Sequence, residues 1–155
     1  MENDHPGIHR SIHPPIIALV YIGLAILLGW LLPFSLPDSS IIKIAGLGII
    51  AVGLVLGFSA FNEFRKAHTT LDPHGSVKTL VTKGIYQVTR NPIYLGFLLM
   101  VIGFPLNSGY YSGLVVAPFF MATMNRLVIE KEEAYLEKKF KEEYTGYKSS
   151  VRRWI

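Results

Sequence analysis

The chain runs without a single charged residue from Pro14 to Leu32, with Tyr21 and Trp30 as its only amphipathic members. As a helix, a stretch of that length crosses a hydrocarbon core of about 30 Å. A soluble fold has no comparable use for it, and a secretory leader fits poorly, because no small-residue cleavage site follows. After a Pro/Ser turn at Pro33 to Ser40, a second apolar run extends from Ile41 to Phe61. Its one charge, Lys43, lies near an end where it can snorkel. Within it Gly53 and Gly57 have the small-xxx-small spacing of close helix contacts, although glycine is common in membrane helices generally.

The second half repeats the theme in shorter pieces. Pro92 to Leu106 is apolar but brief for a full crossing, Asn107-Ser108-Gly109 makes a turn, and apolar sequence resumes at Tyr110. We read 92–106 and 109–126 as a helical hairpin, tilted or partly re-entrant, giving spans at about 14–32, 41–61, 92–106 and 109–126. The fold class is therefore all-α: a polytopic membrane protein of one domain, 1–155, with about four transmembrane helices and an amphipathic carboxyl-terminal cytoplasmic helix. The turns at 33–40 and 107–112 contain no Lys or Arg, and every basic residue except Lys43 lies in the amino-terminal segment, the 63–90 connection or the tail. By the positive-inside rule both termini and the long connection face the cytoplasm.

Composition narrows the function. Hydrophobic residues make up 50% of the chain and charged residues 17%. The formal charge of +4 flanks apolar runs, so its partners are membrane lipids rather than nucleic acid. With no cysteine there is no thiolate chemistry, and His5, His9, His13 and His68 have no ligand spacing that predicts a metal. His74 falls in the polar turn Asp72-Pro73-His74-Gly75.

Two segments, 78–96 and 126–147, are the candidate site. At 100° per residue, Ile129, Leu136, Phe140 and Tyr147 share one face of a tail helix, with Arg126, Glu132 and Glu133 on its edges. Carboxylates near an apolar face need a partner or a polar ligand. An internal salt bridge from Arg126 to Glu130 or Glu133 would meet that need as well. Upstream, Arg90-Asn91-Pro92 reads as a cationic residue, an N-cap and a proline at N1, opening the third apolar helix. That opening offers backbone N–H groups to a polar ligand.

Together these segments resemble the isoprenylcysteine carboxyl methyltransferase and phospholipid methyltransferase superfamily. Leu80-Val81-Thr82-Lys83-Gly84-Ile85-Tyr86 matches its L-V-T-x-G-x-Y, and Arg90-Asn91-Pro92-Ile93-Tyr94-Leu95-Gly96 matches its R-[HN]-P-x-Y-x-G. Glu132-Glu133, Leu136, Phe140, Tyr144, Tyr147, Val151 and Arg153 match its tail. The likeness covers roughly Thr70 to Trp154.

The resemblance implies a membrane-embedded S-adenosylmethionine-dependent methyltransferase with a cytoplasmic cofactor pocket. Its acceptor would be lipophilic: a prenyl, lipid or related small molecule, or a lipidated substrate. Carried over by position, Lys78, Thr79, Leu80, Val81, Tyr86, Asn91, Pro92, Ile93, Tyr94, Glu132 and Glu133 would bind the cofactor. Methyl transfer from a sulfonium rests on alignment and exclusion of water, and a carboxylate acceptor needs no general base. Three departures stand out. Asn91 replaces the histidine of the prenylcysteine enzymes, Lys141 replaces a glycine, and Val128 occupies the place of their substrate-binding arginine. Arg126, two residues earlier, and Arg90 are then the candidate catalytic cations. An NADPH-dependent reductase of the sterol-reductase type, or a non-catalytic protein of the same fold, are the alternatives. Phe97 after Gly96 departs from the reductase pattern.

Overall fold

The structure, a computed structural model, describes residues 13–68 and 77–155. Most of the polar amino-terminal segment, with His5 and His9, and the Asp72-Pro73-His74-Gly75 turn lie outside the described residues. Helix α1, Pro14–Leu31, opens with proline in its first turn, where the missing N–H costs nothing. It stops before Pro33, which disfavours helical backbone at the preceding residue. Helix α2, Ser40–Lys66, is 27 residues long and ends on Arg65 and Lys66, whose charges complement the helix carboxyl terminus. Helix α3, Pro92–Asn107, has 16 residues, about 24 Å of rise and short of the hydrocarbon thickness. Helix α4 spans Ser112–Met124, and α5 spans Glu130–Ser150. Three helical stretches, α1, α2 and the continuous run from α4 into α5, are long and apolar enough to cross a membrane. The chain is an all-α polytopic membrane protein.

The short helix α3 is the centre of the bundle and packs against α1, α2 and α4. Its contact with α2 is a glycine seam. A Cβ at Gly53 would lie 2.7 Å from the Gly96 carbonyl oxygen, and one at Gly96 would lie 2.6 Å from that of Gly53. Gly46 and Gly103, each seven residues away on its own helix, continue the seam. The sequence pairs Gly53 with Gly57 instead. In the fold a Cβ at Gly57 would meet nothing within 4 Å, so its side faces outward. On the other flank, the Ser112 hydroxyl donates to the Ala25 carbonyl at 2.6 Å, and Tyr21 meets Thr123 Oγ1 at 2.6 Å. Such bonds join helices where water cannot.

The two loops without basic residues lie together at one end. Leu36 N–H donates to the Gly109 carbonyl and Tyr111 N–H to that of Phe34, with Ser35 and Tyr110 in an antiparallel bridge. The 77–91 segment, α5 and the tail gather at the opposite end. Between α4 and α5 the helix widens at Asn125–Ile129 into a π turn without breaking. The fourth span and the tail helix, separate in the sequence reading, are thus one continuous element.

Candidate functional site

Gly84 begins the site. Its φ of +61° suits glycine, and the Glu63 side chain fills the space a Cβ would need. The bend starts a 3-10 turn, Gly84–Gln87, that delivers Tyr86 inward against Phe64, ring centroids 5.7 Å apart. Tyr147 of α5 then donates its hydroxyl to the Tyr86 carbonyl at 2.7 Å.

Asn91 stands at the N-cap of α3, but its side chain makes no cap bond. Its amide instead donates to the Arg153 carbonyl at 2.9 Å, which also accepts from the Thr89 hydroxyl. Arg90 N–H donates to the Arg152 carbonyl. The capping role expected of Asn91 is therefore replaced by a tether to the tail. Because the first bond within α3 runs from Leu95 to Asn91, the N–H groups of Ile93 and Tyr94 have no partner inside the helix.

The tail returns to this corner through charge. Arg153 grips Glu133 with two bonds, Nε to Oε1 at 3.0 Å and Nη2 to Oε2 at 2.7 Å. Arg90 Nη2 approaches Glu133 Oε1 at 3.3 Å. Trp154 donates to Asn125 Oδ1 at the π turn. Burial pushes the Tyr144 hydroxyl up to about 12, against the opposing pull of Arg90. Half-buried Glu132 accepts from the Tyr94 hydroxyl at 2.7 Å. Its carboxyl is pushed up to about 7, first by burial, with the Tyr94 bond opposing and the Glu133 charge adding.

These groups enclose one cavity. Of the residues singled out in the sequence, Thr79, Leu80, Val81, Tyr86, Arg90, Asn91, Pro92, Ile93, Tyr94, Glu132 and Glu133 line it. Lys78 is exposed and lies between two lining residues, Val77 and Thr79, without lining it itself. Arg126 is also exposed and outside it, which corrects its assignment as an inward cation. The reason is the π turn: its wider pitch shifts Arg126 out of the register extrapolated from the tail, while Ile129 at its end keeps the expected buried face. Val128, by contrast, is fully buried in the core. Phe64, Val77, Tyr135, Leu136, Tyr144 and Tyr147 complete the lining and were not among the predicted ligands. Tyr144 was visible as a tail-motif tyrosine; Phe64, in the polar connection after the second span, gave no signal.

Comparison with known proteins gives the family of the chain. The profile of the phospholipid methyltransferase family matches residues 41–143. A protein-S-isoprenylcysteine O-methyltransferase of Schizosaccharomyces pombe is 27% identical over 114 residues, 72% of this chain. The chain spans about half, 48%, of that relative's length. An uncharacterized protein of Haemophilus influenzae is 39% identical over 66 residues, covering 41% of this chain and 100% of its own. No solved structure matches.

Proposed function

The chain belongs to the phospholipid methyltransferase family, and from that premise we propose that it is a membrane methyltransferase that uses S-adenosylmethionine on a lipophilic acceptor. The observation that carries this reading is the cavity itself, closed between the Arg90-Asn91-Pro92 corner and α5. The lining fits the cofactor chemically. Glu132 suits an ammonium or ribose hydroxyls, Arg90 a carboxylate, the tyrosine rings a sulfonium, and Leu80, Val81 and Leu136 a flat apolar base.

When bound, the cofactor supplies an electrophilic methyl group on sulfur. The chain's part is to hold and align. The Tyr94 ring is held by its hydroxyl bond to Glu132, while Tyr86 is held at its backbone carbonyl by Tyr147 and at its ring by the edge contact with Phe64. The tail, tied at Arg152, Arg153 and Trp154, holds α5 against the Arg90-Asn91-Pro92 corner, and α5 forms one wall of the cavity. Lipid-facing helices on every side favour an acceptor arriving from the bilayer. The charge pattern favours a cytoplasmic cavity with both termini on that side.

The test is calorimetric titration of the detergent-purified protein with S-adenosylmethionine. Saturable binding is expected for the wild type and for Glu137→Ala, whose side chain points outward to Lys148 at 3.1 Å. Glu132→Ala and Tyr94→Ala should weaken it at least about tenfold. Absence of wild-type binding at millimolar ligand, with NADPH binding in its place, would overturn the assignment in favour of the reductase alternative.

A further inference from the structure

Arg90 is the one group of the site whose bonding is incomplete in a specific way. Its side chain is 10% exposed, yet neither Nε nor Nη1 has a hydrogen-bond partner. Donors buried without a partner are costly, and more so on a charged group. The charge is unmet as well. Glu133 faces two guanidiniums and already gives both oxygens to Arg153, leaving Arg90 one contact with it at 3.3 Å, beside a bond to the neutral hydroxyl of Tyr144. Arg153 is further compensated by the field of exposed Glu130, so the surplus positive charge falls on Arg90. Glu132 lines the same cavity with the opposite charge and no cationic partner in its bonding.

A cavity with a cation and a carboxylate, both short of counterions, matches a zwitterion. We infer that Arg90 is an anion subsite taking the α-carboxylate of an amino-acid group, while Glu132 takes the α-ammonium on the same carbon. Resting on the proposed cofactor, this fixes which end of it lies at the Arg90-Asn91-Pro92 corner, with the N–H groups of Ile93 and Tyr94 beside the same carboxylate. It also gives Arg90 a binding role and leaves the acceptor to another part of the site.

The test compares S-adenosylhomocysteine with its decarboxylated analogue by calorimetry on the full chain in detergent. Wild-type protein should bind the decarboxylated analogue about ten- to a hundredfold more weakly. Arg90→Gln should weaken the intact ligand by a similar factor and bind the two alike. Glu133 keeps Arg153 in this variant, and the wild-type arm needs no variant at all. Equal wild-type affinity for both ligands, or a preference that survives in Arg90→Gln, overturns the subsite but leaves nucleoside binding, and so the cofactor, intact. Failure of both ligands to bind overturns subsite and cofactor together.

Discussion

Adjacent in sequence, Glu132 and Glu133 are set in different surroundings by one helical step. Glu133 is locked between Arg153 and Arg90, whereas Glu132 meets the neutral hydroxyl of Tyr94 and is pushed up to about 7. A carboxyl whose folded value exceeds its unfolded one favours the folded state while it keeps its proton. That contribution is full below the unfolded value of 4.5 and is lost as pH rises through about 7. The thermal midpoint of the ligand-free protein should therefore fall from about pH 5 to about pH 8, and Glu132→Gln should flatten that part of the profile. Binding of a cationic ligand has the opposite sign, since it selects the carboxylate. Affinity should rise with pH by up to about tenfold per unit below 7 and level off above it.

At the scale of elements, the decisive contacts are between backbones. Gly96→Val would drive a branched side chain into the Gly53 carbonyl and should destabilise by about 1–3 kcal/mol or more. Gly57→Val, facing open space, should change the midpoint little, and unfolding in detergent compares the two directly. A second element carries strain. Lys141 breaks α5 with φ 47° and ψ −119°, a region suited to glycine. Lys141→Gly should raise stability by about 1 kcal/mol, after the entropy that glycine loses, as read from the same unfolding curves. The apolar runs gave helix ends within a few residues, because charge and proline mark where a helix leaves the bilayer. The motif segments were legible for the same local reason, down to Tyr86 and Tyr94. What could not be read was pitch. A projection at 100° per residue presumes a uniform helix, and the π turn at 125–129 and the break at Lys141 both violate it. Arg126 was misplaced by the first. The salt bridges that Glu133 makes reach Arg153, 20 residues away, and Arg90 outside its own helix, both beyond any rule of helical neighbours.

For the whole molecule, three helical stretches are long and apolar enough to cross a membrane, and we propose that α3 makes a fourth crossing, with the bonded loops on one side and the cavity on the other. The natural absence of cysteine makes this directly measurable. In oriented vesicles, Ser108→Cys and Ser149→Cys, both at exposed positions, should label from opposite sides with a membrane-impermeant thiol reagent. Labelling of both from one side would remove the four-crossing topology. The glycine seam has a consequence at this scale too. Helix α2, about 40 Å long, leans on α3 and touches the 3-10 turn that carries Tyr86. Hydrophobic mismatch tilts long helices, and with Gly53 at the middle of α2 a change of tilt is expected to pivot about the seam and reach the turn under Tyr86. Ligand affinity should therefore change with the acyl-chain length of the vesicles that hold the protein, as titration in lipids of different chain length would show.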